Sequence, residues 1–389
     1  MTRTTRQMPP TAPTTGSARP VGGGGGAGRG ERLRALDALR LLAALAVLAF
    51  HFTARDHTRW GALTGDVFPH LSAVTAYGYA GVHLFFVVSG VVITASAGGR
   101  GLAAFVASRV SRLYPAYWAA VLLTATLRWA WPGFGDRTPA QVAVNLTMFQ
   151  DLFGVPRVDG VYWTLWVEMQ FYLLVAVLLL VGWSRRRLLV AATWVPALCT
   201  AVVLAVPRAA GVVTLLGYAP LFAAGIVLHV LHRDGPTVRR WLLLALTTAQ
   251  AALLAAFAQA PAVGDLVSRT PVSPVVLAAV VTGCVGLVAV TVLVPRVRAV
   301  DRRWLTAAGA LTYPLYLTHE YVGWALIEVL APHTGRWVTL ALAVTGCLVL
   351  ARAVHRLVER PLQRPLRSWL LARLTRAAPE HRRPPGSAG

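Results

Sequence analysis

ALDALRLLAALAVLAFHF, residues 35–52, holds ten consecutive apolar residues, Leu41 to Phe50, between Arg40 and His51. A transmembrane helix takes roughly 20 mostly apolar residues, so this run predicts one over 36–53. Arg40 and His51 are eleven residues apart. At about 100° per residue they lie on one helix face, roughly 16 Å apart along the axis. Ala43, Ala44 and Val47 fill the stripe between them. The face therefore carries a cation, a slim apolar track and an imidazole.

The rest of the chain repeats the apolar character. Of 389 residues, 56% are apolar and only 13% charged, with mean hydropathy +0.58. Soluble domains carry about 25% charged residues. So apolar a chain is not disordered, and it does not suit a soluble nucleic-acid binder, although its net charge is +22. All 37 cations are arginines. Cys199, Cys284 and Cys347 lie in apolar runs, an odd set that implies neither a disulfide framework nor a metal cluster.

Ten candidate spans follow, giving an all-α polytopic membrane protein with about ten transmembrane helices: 36–53, 74–97, 113–131, 162–183, 188–206, 211–231, 241–262, 274–294, 305–331 and 336–358. Residues 139–153 read as an amphipathic segment on the membrane surface. The expected domains are a disordered N-terminal tail over 1–32, with Gly22–Gly26 consecutive, a transmembrane domain over 33–360 and a basic cytoplasmic tail over 361–389. The first apolar run lacks a cleavage site, so no signal peptide is expected. With the N-terminus in the cytoplasm, 29 of the 37 arginines fall on the cytoplasmic side and 8 on the other. This bias predicts that both termini are cytoplasmic. It accounts for most of the charge without nucleic acid. No internal repeat of the transporter kind is visible.

Ionisable groups inside a span are costly and mark function by default. His51 suits a general base, since neutral imidazole titrates near pH 7. Arg40 reads equally as a positive-inside anchor, with the small residues as packing. In Ser108-Arg109-Val-Ser-Arg112-Leu-Tyr114-Pro115 the two arginines are at i, i+3, a spacing that presents both guanidiniums to a phosphate. Tyr162-Trp163-Thr-Leu-Trp166-Val-Glu168 belongs partly to an aromatic belt. Glu168 does not, and its depth matches that of His51, so a Glu168–His51 contact is expected to orient the imidazole. Further candidates to line a cavity are Asp37, Ser89, Tyr162, Trp163, Tyr316 and His319. The last two lie in Tyr313-Pro314-Leu-Tyr316-Leu-Thr-His319-Glu320, where Pro314 is expected to kink the helix.

Together these stretches resemble the acyltransferase-3 family of integral membrane O-acyltransferases. The matches are Leu36-Asp37-Ala-Leu-Arg40 with His51 eleven residues on, Phe85-Phe86-Val-Val-Ser89-Gly90, Arg109-x-x-Arg112-Leu-Tyr-Pro115, Trp163-Thr-Leu-Trp-Val-Glu168-Met-Gln170-Phe-Tyr172 and Leu315-Tyr316-Leu-Thr-His319. Ala38 and Trp166 depart from residues common in the family, Gly and Ser. The resemblance implies transfer of an acyl group, usually acetyl, from cytoplasmic acyl-CoA to a hydroxyl of a carbohydrate or a macrolide-type acceptor. It implies a multi-pass protein of the bacterial plasma membrane, with acyl-CoA as co-substrate and no bound cofactor or metal. It carries catalysis onto His51 and acyl-CoA binding onto Arg40, Arg109 and Arg112. On this reading the pantetheine arm threads along Ala43, Ala44 and Val47, and Glu168 orients His51. A proton-coupled transporter or flippase of a lipid-linked sugar, using His51, Glu168 and His319 as a relay, is the competing class. A non-enzymatic scaffold is the third.

Overall fold

The computed structural model describes residue 2 and residues 34–206, 214–300 and 302–376. No strand occurs among them. The long helices are α1 (Arg34–Thr53), α2 (Gly81–Ala97), α3 (Leu102–Ala130), α4 (Trp163–Leu180), α5 (Arg185–Ala205), α6 (Ala219–Asp234), α7 (Val238–Leu254), α8 (Pro274–Leu293), α9 (Arg303–Leu330), α10 (Arg336–Val354) and α11 (Arg360–Arg376).

A helix therefore lies at each of the ten apolar stretches. Seven helical segments among the described residues are long and apolar enough to cross a membrane: Arg34–Thr53, Pro69–Ala97, Gly160–Leu180, Arg185–Ala205, Val238–Gly264, Pro274–Leu293 and Arg336–Arg376. The other three stretches fall short for identifiable reasons. Helix α3 carries Arg109, Arg112, Arg128 and Pro115, α6 has only 16 residues, and α9 contains Pro314, His319 and Glu320.

Several boundaries differ from the sequence expectation. Helix α3 starts at Leu102, so Arg109 and Arg112 stand within a helix rather than in the loop before it. Only Pro139–Asn145 of the surface segment is helical, started by a capping box of Thr138 and Gln141. The expected basic tail is helical through Arg376, as α11 packing on α3. The tail over 1–32, apart from residue 2, and residues 377–389 lie outside the described residues.

Burial is arranged for a lipid solvent. Trp194 on α5 is 69% exposed, and Phe257, in the π-helical turn that continues α7, is 71% exposed, whereas Glu320, His319 and Glu359 are almost fully buried. Apolar side chains facing out and ionisable ones facing in are what a bilayer requires. Helix α2 is central and packs on α1, α6 and α8. Its crossing with α6 is a glycine contact. A Cβ on Gly225 would come 2.7 Å from the Gly90 Cα and 2.8 Å from the Val91 nitrogen. These obstacles are backbone and cannot move aside, so the two helices approach as closely as small residues allow. We expect Gly90→Ala and Gly225→Ala each to cost about 1–3 kcal/mol by overpacking. Thermal melting in detergent would show this as a fall of roughly 2 °C or more in Tm. Gly286→Ala on α8, where a Cβ meets nothing within 4 Å, serves as the neutral control. An unchanged Tm in both crossing variants would remove the close-packing account.

Candidate active site

His51 stands one turn from the sequence end of α1. Its Nδ1 lies 2.8 Å from the Val47 carbonyl oxygen. His319 of α9 places Nε2 3.3 Å from the same Nδ1, and its own Nδ1 is 2.9 Å from the Tyr316 carbonyl oxygen. One tautomer pattern, assigned from these bonds, satisfies them all. His319 Nδ1–H donates to Tyr316, and His51 Nδ1–H donates to Val47 and faces the lone pair of His319. His51 Nε2 is left unprotonated.

That bare nitrogen faces Glu320 Oε2 at 3.7 Å. Glu320 is 1% exposed. Its other oxygen is ion-paired with Arg55, while Oε2 has no hydrogen-bond partner among the described residues. Two acceptors thus face each other across a gap that suits one proton-bearing group. Trp324 fixes the local backbone, its indole N–H donating to the His51 carbonyl oxygen at 3.2 Å.

The loop before α4 completes this end. Gly160 packs on the Glu320 carboxylate so closely that a Cβ would come 2.9 Å from Oε2. Asp159 is fully buried, and its Oδ1 accepts from the Val161 N–H at 3.1 Å. Burial, reinforced by the neighbouring Glu320 charge, holds the Asp159 carboxyl well above its usual range. A cavity opens here, lined by His51, Arg55, Tyr79, Arg157, Trp163 and Tyr316 among others. Tyr79 and Trp163 stack with ring centres 6.2 Å apart.

A second cavity lies toward the other end of α1. Arg40, Arg109 and Arg112 line it. Arg40 is 3.9 Å from Asp37. Arg112 is 3.4 Å from Glu359, a fully buried carboxylate in the π-helical turn His355–Glu359. Arg109 donates to Ser108 Oγ at 3.2 Å, and its buried Nε has no partner among the described residues. Deeper in, Glu168 Oε1 accepts from Ser89 at 2.9 Å and Tyr172 at 2.7 Å. The two cavities share Val82 and Tyr316 in their walls.

The fold thus gathers Arg40, Arg109 and Arg112 in one cavity, the last two sharing a helix face at i, i+3, and puts Ser89 and Glu168 there as well. It separates Glu168 from His51. Equal depth on two helices does not fix their lateral placement, and the carboxylate beside His51 is Glu320. Ala43 and Ala44 line neither cavity. Gly81 packs against the Ala43 carbonyl and Val47, so Ala43 is a helix contact, while Val47 also lines the His51 cavity. Asp37, Tyr162 and His319 also line neither cavity, while Trp163 and Tyr316 do. Tyr162 is fully buried against Tyr117. Glu320 is visible in the sequence as a carboxylate inside a span. Asp159, in a loop, gives no such signal.

A family model described as an acyltransferase domain matches residues 33–356. The chain belongs to the acyltransferase-3 family. It is a multi-pass membrane acyltransferase. No curated protein and no solved structure matches it.

The buried Asp159 gives a pH test. Its pKa is raised in the fold above the unfolded value near 3.8. Its stabilising contribution is therefore full below that pH and is lost as pH rises toward the folded value. Asp159→Asn keeps the Val161 acceptor and cannot ionise. The variant should exceed the wild type in Tm by roughly 2 °C or more at pH 8, with the gain vanishing toward pH 4. A difference independent of pH would show that Asp159 is ionised in the fold.

Proposed function

We propose that this enzyme moves an acyl group, acetyl by preference, from cytoplasmic acyl-CoA to a hydroxyl of a carbohydrate or macrolide-type acceptor. Its termini are cytoplasmic and α3, α6 and α9 also cross the bilayer, making ten spans in a bacterial plasma membrane. The polar groups that lower the hydropathy of α3 and α9 face the site rather than lipid. The observation that carries the reading is the pair of cavities that share Val82 and Tyr316, with Arg40, Arg109 and Arg112 in one and His51, beside Arg55 and Arg157, in the other.

Arg40, Arg109 and Arg112 bind the phosphates of CoA, where bidentate guanidinium contacts are strong. The thioester passes the shoulder at Val82 and Tyr316 to reach His51. The acceptor hydroxyl enters between His51 Nε2 and Glu320. Nε2 removes its proton as the oxygen attacks the thioester carbonyl. The carbon–sulfur bond breaks, and the departing thiolate takes the proton back from the imidazolium. Glu320, ion-paired and buried, stabilises that imidazolium and positions the ring. The acyl-imidazole relay uses the same nitrogen, with the acceptor attacking the acylated ring in a second step.

Transfer from radiolabelled acetyl-CoA in membranes tests these roles, and mass spectrometry of envelope glycans and secreted metabolites from a deletion strain identifies the acceptor. His51→Ala should lower kcat about 10²–10⁴-fold, the range of a lost general base. A fall of less than tenfold would remove the base or relay role. Glu320→Gln should lower kcat about tenfold or more with KM for the donor unchanged. The double variant Arg109→Gln/Arg112→Gln should raise that KM by about tenfold or more, and an unchanged KM would dismiss the phosphate assignment.

A further inference from the structure

Glu168 is a carboxylate in the wall of a cavity whose mouth carries three arginines. An anion there repels a polyphosphate donor, so its presence needs a cause. Ser89 and Tyr172 both donate to Oε1. No described residue bonds Oε2. That atom is not among the buried unpartnered ones, so it faces the cavity. The two hydroxyls hold the carboxylate in one rotamer with one oxygen presented to whatever occupies the space.

Its position along the cavity says what that occupant is. Helix α4 runs from the Trp163 end of the site toward the arginine end, and Glu168 stands five residues in, about 8 Å along the axis. On one side lie Arg40, Arg109 and Arg112, and on the other lie Val82 and Tyr316, the shoulder before His51. Apolar Phe85, Phe86, Leu113 and Leu165 line the same cavity. A chain crossing this stretch is mostly sheltered from water. Any amide N–H it carries needs an acceptor there, because an unpaired buried donor costs about 1–3 kcal/mol.

We infer that Glu168 Oε2 accepts an amide N–H of the pantetheine arm, and so selects a pantetheine thioester over other activated acyl donors. Glu168 is then a donor-binding residue and not a partner of the catalytic base. This rests on the acyl-CoA reading proposed above. It also differs from the simplest alternative, in which Glu168 only tunes the cations: the carboxylate is within electrostatic reach of Arg40. An electrostatic role would act on the nucleotide half of CoA, whereas the hydrogen bond acts on the arm alone.

Calorimetric titration of the detergent-solubilised full chain separates these roles. The probes are CoA and adenosine 3′,5′-bisphosphate, the nucleotide half without the arm, and the variants are Glu168→Ala and Glu168→Gln. The expected result is a loss of CoA affinity of about tenfold or more in Glu168→Ala, as for one hydrogen bond to a charged acceptor. Affinity for the bisphosphate should stay within twofold, which also reports that the variant is folded. Glu168→Gln, which keeps an acceptor oxygen, should recover part of the CoA affinity. Equal CoA affinity in wild type and Glu168→Ala overturns the inference. So does a parallel change for both probes, since the role would then be electrostatic or structural. Absence of CoA binding by the wild type is a different failure, that of the donor reading itself.

Discussion

A buried carboxylate constrains everything around it, and here that carboxylate is Glu320. In an apolar interior an ionised acid persists only if it is paired and hydrogen-bonded. Glu320 meets this with Arg55 on one oxygen and with His51 and the buried Asp159 close by. Those partners come from the end of α1 and the loop ahead of α4, while Glu320 itself stands in α9. Satisfying one charge therefore locks three segments together. Gly160 is tied to the same requirement, because any side chain there would intrude on the carboxylate.

The rest of the site follows from how the helices around that lock must pack. The glycine crossing of α2 and α6 draws α2 inward, and α2 contributes Val82 and Ser89 to the cavity walls. Helix α3 brings two arginines from the far end, one of them paired with the buried Glu359. Arg40, Arg109 and Arg112 are thereby held on one side of Val82 and Tyr316, and His51 on the other, together with Arg55 and Arg157. In the proposed reaction this separation is useful. A charged, hydrated donor head stays at one mouth while only its slender arm reaches the histidine.

Much of the fold is legible in the order of residues along the chain. The helical stretches, the membrane setting and the family are all readable there, because apolar run length and motif order are local properties. The arginine cluster is legible too, since i, i+3 spacing in a helix fixes two side chains on one face. The pairing of His51 is not. Glu168 and Glu320 are both carboxylates inside apolar runs, and depth along an axis favours Glu168. Which one meets His51 depends on the lateral order of helices, and single-chain periodicity does not encode that. Ala43 shows a related point: small residues mark close approach, and the body that approaches it is α2.

The sequence by itself thus determined that this chain is a helical membrane acyltransferase, with His51 and three arginines as the groups to watch. Those facts rest on composition, spacing and motif order along one dimension. Only the tertiary structure decided that Glu320 faces His51, that Asp159 is buried beside it, and that Glu168 belongs with the arginines. These facts depend on which helix faces stand opposite each other. The requirement that every buried charge find its partner settles that arrangement in three dimensions.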